Sequence, residues 1–166
     1  MNPMQQVCSP ACAIELATQK REAADKKAKA EDRKSTKAKL EKLKTRREWL
    51  KEAQTAFNAY IRERDKDKPC ISCGRFHTGA YDAGHYRSVG AAPQLRFNED
   101  NCHRQCVPCN QHKSGNAIEY RIKLIHRIGI ERVEALEQEN NPQKLTIEDA
   151  KRIKSIYKAK LKELQK

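Results

Sequence analysis

Residues 106–116 read "CVPCNQHKSGN", and the fold turns on how this stretch is understood. Two cysteines with two residues between them are followed at once by Asn110, His112 and Lys113. A matching pair lies upstream, Cys70 and Cys73 in "CISCG", and each pair is followed by a residue suited to a tight turn (Gly74, Asn110). Four thiolates from two such turns satisfy the tetrahedral preference of a closed structural zinc site. A single pair would be weak evidence. Two pairs favour zinc over a redox pair or chance spacing.

The 32 residues between Cys73 and Cys106 exceed the roughly 15–20 of a simple zinc ribbon. A plain ribbon does not need that insert, so its contents have to explain it. They include "YDAGHYRS" and "NEDNCHRQ", which carry Asp82, His85, Asn101 and His103. Ordinary loop polars are the bland explanation, but their concentration beside two metal-type turns favours ligands and a base. Cys102 reads as a buried spare thiol, because four cysteines already complete a zinc shell. Cys8 and Cys12 in "CSPAC" form half of a further knuckle, with no second pair upstream to complete it.

Composition sets the wider limits. Hydrophobic residues are 37% and charged residues 34% of 166, so the core is small and a staple is needed. The net charge of +13 favours a polyanionic partner, nucleic acid being the commonest. No run approaches the roughly 20 apolar residues of a membrane span. The N-terminus lacks the charged start and apolar core of a signal peptide. These features place the chain in the cytoplasm, where cysteines stay reduced and more often hold metals. Seven cysteines also fit poorly with a complete disulfide framework.

Three regions follow. Residues 1–17 hold the partial knuckle. Residues 18–47 are a basic helical arm, rich in good helix formers and free of Pro and Gly. From Lys20 to Arg47 there are thirteen basic and five acidic residues and almost no apolar face, so the arm is either a solvated spacer or a DNA contact. Residues 48–166 are the domain proper. Trp49, Leu50, Ala53, Phe57, Tyr60 and Ile61 recur at helical spacing, and Pro69 disfavours helix at Lys68. Residues 70–110 are turn-rich and suit short strands. Ile118, Ile122 and Ile125 mark a helix stopped near Gly129, and "IERVEALEQE" is a short one. Thr146 with Asp149 opens a last helix that turns Ile147, Ala150, Ile153, Ile156, Tyr157, Leu161 and Leu164 inward. The fold class is α+β.

These residues together suit phosphodiester hydrolysis. That reaction needs a base for water, a divalent cation against the developing charge, and groups that hold the strand. A neutral imidazole serves near pH 7. Asp and Asn oxygens suit a hard ion such as Mg2+.

The run "DAGHY" to "CVPCNQHKSGN", with "CISCG" upstream, resembles the four-cysteine branch of the HNH (ββα-metal) nucleases. More closely, "RERDKDKPCISCG", "DAGHYRSVGAAPQLRFNEDN" and "QCVPCNQHKSGN" resemble the phage NinG (Rap) family of recombination endonucleases, which cut branched DNA. The resemblance runs from about Trp49 to the C-terminus. It implies a small zinc-stapled ββα-metal core flanked by helices, with a long basic N-terminal helix. It implies zinc at Cys70, Cys73, Cys106 and Cys109, His85 as general base, and Asn101 as the residue that orients the base or its loop. It implies Asn110 as ligand of a catalytic Mg2+ or Mn2+. Asp82 is the candidate acidic ligand, because Gly84 occupies the position before the base that is often acidic. Arg87, Arg104, His112 and Lys113 are assigned to the DNA strand. The implied partners are Holliday junctions, D-loops and other phage recombination proteins, inside the bacterial host. Symmetric resolution of a branch would require two active sites, hence a homodimer. Family members tend to carry a complete N-terminal zinc finger, of which "CSPAC" offers one half, so the chain is expected to be shortened there. A competing expectation is a zinc-dependent DNA-binding module without catalysis, which would not need the second cation.

Overall fold

A computed structural model describes residues 9–142 and 144–166. Residues 1–8 of the expected 1–17 knuckle region, Cys8 among them, therefore lie outside the described residues; Cys12 is on a helix. The chain separates into two compact units, divided in sequence between Lys44 and Thr45.

The described part of the first unit holds one helix, α1 (Pro10–Leu43). The Ser9 hydroxyl accepts the Cys12 N–H at 3.3 Å and Pro10 sits in the first turn, where its missing N–H costs nothing. The helix buries no residue, and Ile14, Leu40 and Leu43 are exposed. A helix with no face to bury leans on propensity and charge spacing alone.

The chain restarts at Thr45, earlier than the arm's expected end. Thr45 and Glu48 form a reciprocal cap for α2 (Arg46–Arg64). All six residues of the expected apolar stripe are buried, joined by Ala56. Two short strands follow, β1 (Tyr81–His85) and β2 (Cys102–Cys106), antiparallel with Tyr81 opposite Cys106 and His85 opposite Cys102. A five-residue wide turn (Pro108–His112) leads to α3 (Ala117–Ile128), α4 (Ile130–Gln138) and α5 (Ile147–Leu164). The architecture is α+β, a two-stranded sheet among helices.

Helix α5 lies along α2. Trp49, Leu50 and Ala53 enclose Ala150 at one end, and Phe57, Tyr60 and Ile61 meet Tyr157, Ala83 and Cys102 at the other. A second cluster joins Ile71, Ala92 and Leu95 to Tyr120 and Leu124 of α3 and to Val133 and Leu136 of α4.

One expected face is corrected. In α5 Ile156 and Leu164 are exposed; the helix turns inward through Ala150 and Tyr157. In α3 Ile118 and Ile122 are exposed, and Tyr120 and Leu124 are buried. At about 100° per residue both isoleucines lie roughly 200° from Tyr120. The aromatic ring takes the inner face because its hydroxyl donates to the Gly84 carbonyl at 2.9 Å, whereas isoleucine could offer only area.

Candidate metal centre and adjoining site

The two cysteine turns close on one another. The Sγ atoms of Cys70, Cys73, Cys106 and Cys109 all lie within 4.8 Å of one another, and Cys73 to Cys106 is 3.9 Å. A tetrahedron with Zn–S of about 2.3 Å has edges of about 3.8 Å, so the donor set fits zinc. Burial works against the Cys70 thiolate, but N–H groups of Cys106, Cys73 and Ser72 outweigh it and lower its pKa. His77 Nε2 is 3.2 Å from Cys73 Sγ and offers a further donor to that thiolate. Cys102 is outside the cluster. It is fully buried, and burial pushes its pKa far up, so it remains a thiol.

His85 ends β1 and pairs with Cys102 across the sheet. Its Nε2 is 2.9 Å from the Arg96 carbonyl. A carbonyl only accepts, so Nε2 carries the proton and the neutral ring keeps its lone pair on Nδ1. Nδ1 lies 3.7 Å from Cys102 Sγ, a long and weak contact. Burial, more than the nearby Arg96 charge, lowers the His85 pKa, against the opposing carbonyl bond. The imidazole is therefore neutral at pH 7.

Asn110 follows the last cysteine directly. The wide turn that carries it is closed by Lys113 N–H to the Pro108 carbonyl and Gly115 N–H to the Asn110 carbonyl, each 3.1 Å. Asn110 Nδ2 donates to Asp82 Oδ2 at 2.8 Å, and Gln111 Nε2 donates to the same oxygen at 2.9 Å. The bond uses the amide nitrogen, so the Asn110 oxygen is left for another partner. Asn110 and His85 line one cavity of about 320 Å³, together with Ala83, Ser88, Ser114 and Gly115. Asp82 and His85 differ by three positions on a strand and leave it on opposite faces. The structure thus brings Asp82 to Asn110, and Asn110 to the cavity of His85, but not Asp82 to His85. The oxygens of Asp82 and Asn110 are hard donors of the kind Mg2+ or Mn2+ takes.

Asn101 does not touch the His85 ring. Fully buried, it accepts the Arg87 N–H at 2.8 Å and donates to the carbonyls of Arg87 and Leu95 at 3.0 and 3.2 Å, which pins the loop after His85. His112 and Lys113 are exposed. Arg87 and Arg104 bond to the protein's own carbonyls. Arg87 donates to the carbonyls of Leu136, Glu137 and Glu139 and holds the end of α4. Arg104 donates to the Lys66 carbonyl and lies 3.6 Å over the Tyr81 ring. His103 is a core residue, 3% exposed, with its pKa lowered by burial to about 3.

Sequence reasoning missed two residues. Asp65, read only as part of a helix stop, is fully buried and accepts two bonds from Arg64 (3.0 and 2.8 Å), one from Lys68 (3.1 Å) and the Arg104 N–H (3.2 Å). Desolvation opposes its charge, but Arg64 and its other donors hold its carboxyl well below the usual range. Gln105, also fully buried, donates to Ser72 Oγ and the Gly115 carbonyl, each 2.6 Å. Its one signal in the sequence is Gly84. A Cβ there would stand 2.0 Å from Gln105 Oε1.

Comparison with known proteins agrees across the chain. The family model described as "Bacteriophage Lambda NinG protein" matches residues 1–166. Relatives include Protein ninG of Escherichia phage lambda, 53% identical over 95% of this chain and 83% of that protein. Protein ninG of Salmonella phage P22 is 52% identical over the same shares. Protein ninG of Escherichia phage 933W is 52% identical over 92% of this chain and 80% of its own length. No solved structure matches the chain.

Proposed function

The chain belongs to the bacteriophage lambda NinG protein family, and from that premise we propose that it is a metal-dependent HNH-type endonuclease that hydrolyses phosphodiester bonds in branched DNA. The observation that carries this reading is the shared cavity of His85 and Asn110, set beside the four-cysteine cluster. Zinc held by the four cysteines would be scaffold. It would brace the turn that presents Asn110, against which Asp82 lies at 2.8 Å.

A Mg2+ or Mn2+ ion on these oxygens would neutralise charge on the phosphate and the leaving oxygen. His85 supplies the base. Its Nε2 proton is committed to the Arg96 carbonyl, so Nδ1 takes the proton from the attacking water. The Cys102 thiol, at 3.7 Å, holds that nitrogen too loosely to compete with a water at ordinary hydrogen-bond distance. Asn101 keeps the loop beyond His85 in place, and His112 and Lys113 are exposed for phosphate. The net charge of +13 supplies attraction to DNA that does not depend on sequence. The protein acts in the bacterial host, with branched DNA and other recombination proteins as partners, as a homodimer where both strands of a branch are cut. Among the described residues no helix is long and apolar enough to cross a membrane.

The test is incubation of the zinc-loaded chain with a four-way junction, a D-loop and linear duplex, with and without Mg2+. Branched substrates should be cut, and only with the added cation. Binding without cleavage under every cation condition would leave a zinc-dependent DNA-binding module.

A further inference from the structure

Gln105 is buried on β2 and touches the first cysteine turn, the turn of Asn110 and the strand of His85. Its Nε2 donates to Ser72 Oγ, inside the first cysteine turn, and to the Gly115 carbonyl, each at 2.6 Å. The Gly115 carbonyl can only accept, so the amide orientation is fixed. Gly115 in turn donates its N–H to the Asn110 carbonyl at 3.1 Å and has φ +84°, a left-handed conformation that suits glycine. One carboxamide therefore reaches the backbone that closes the Asn110 turn.

The other half of the carboxamide faces β1. Gln105 Oε1 is buried with no hydrogen-bond partner, and it stands 2.0 Å from the place a Cβ at Gly84 would take. Gln105 Cβ and Cδ are each 2.9 Å from the same point. No side chain at residue 84 fits while Gln105 is there. The position directly before His85 is closed by a neighbour from β2, and an acidic ligand cannot be carried at it. That leaves Asp82, two residues earlier on the same strand face, as the carboxylate that meets Asn110.

We propose that Gln105 is a positioning residue for the cation site: by holding Gly115 and filling the space at Gly84, it sets Asn110 against Asp82. The inference rests on the cation-binding reading above. An orphaned acceptor in a closed core is costly, and its retention here is the consequence of needing the amide nitrogen on Gly115.

The experiment measures Mn2+ binding to the zinc-loaded chain by the loss of free-ion paramagnetic resonance signal, without DNA or turnover. The wild type, Gln105→Met, Asn110→Ala and the double variant are compared, with zinc content measured on each. Gln105→Met should keep one zinc and weaken Mn2+ binding by roughly 10-fold, the lower end for a lost supporting partner of a metal ligand. In the Asn110→Ala background it should have no further effect, because it acts through Asn110. Gly84→Ala, which displaces the same carboxamide from the other strand, should weaken Mn2+ in the same way. Wild-type Mn2+ affinity in Gln105→Met overturns the inference, and so do losses that multiply in the double variant. If both the 105 and 84 variants lose zinc, Gln105 supports the cysteine cluster rather than Asn110, and the inference fails. A wild-type chain that binds zinc but no Mn2+ would instead bring down the cation reading itself, an outcome visible without any variant.

Discussion

Replacing Asp65 by Asn tests whether the β2 strand is held from beneath by a buried charge. The carboxylate is completely inaccessible, yet it faces Arg64 at 2.8 Å, Lys68 at 3.1 Å and Arg127 at 3.9 Å, with side-chain exposures of 20%, 48% and 19%. The Lys68 pair is half in solvent and contributes little. Arg64 and Arg127 are different. Removing the charge between them leaves two largely buried guanidiniums facing each other's field, and Arg127 Nη1 already lacks a hydrogen bond. The carboxylate also accepts the Arg104 N–H at 3.2 Å, which anchors the middle of β2. Breaking a buried pair from one side costs about 3–5 kcal/mol. Asp65→Asn should therefore lose about that much in urea unfolding of the zinc-loaded chain, with an unchanged slope. At low temperature, where the variant is still folded, it should hold one zinc. A loss below about 1 kcal/mol would refute the reasoning, because it would mean that water screens the pair despite the burial.

Cys106→Ser should abolish zinc binding and most of the folded signal of the domain, because binding energy at such a site is folding energy; a chain that stays folded in strong chelator contradicts this. Neutralising four lysines between Lys26 and Lys44 should weaken DNA binding on every sequence and reduce the salt slope by up to about 0.9 per lost contact; an unchanged slope marks α1 as a spacer. The pH profile of kcat/KM should have its acidic limb below the ordinary histidine value of about 6.5. Burial disfavours the His85 cation, so the base remains deprotonated as pH falls past that value and activity is lost only lower; a limb above pH 7 contradicts the assignment.

The cysteine pairs and the α2 stripe were legible in the sequence because both are local patterns. Spacing alone brings Cys70 with Cys73, and Trp49 with Phe57 and Ile61, onto shared geometry. The boundary at Thr45 was also legible in principle, since Thr45 and Glu48 make a capping box, but the basic run on both sides masked it. The isoleucines marked α3 as a helix but not its inner residue, because the bond that seats Tyr120 runs to a carbonyl 36 residues away. Asp65 and Gln105 were hidden for the same reason. Each acts through partners that only the closed sheet brings near: Arg104 for one, Gly84 and Gly115 for the other. The internal bonds of Arg87 and Arg104 were hidden as well. Positive charge near the motif suggested DNA, and the structure gives both guanidiniums to backbone carbonyls.

The most direct test of the account is junction cleavage by His85→Ala, measured with its zinc content and its junction affinity. The ring's hydrogen-bond partners, the Arg96 carbonyl and Cys102, lie outside the cysteine cluster, so zinc and binding should stay at wild-type levels. Cleavage with saturating Mg2+ should fall by roughly 10²-fold or more, the scale of a lost general base. Wild-type cleavage of branched DNA by His85→Ala would contradict the account at its centre and leave "CVPCNQHKSGN" as a structural clip alone.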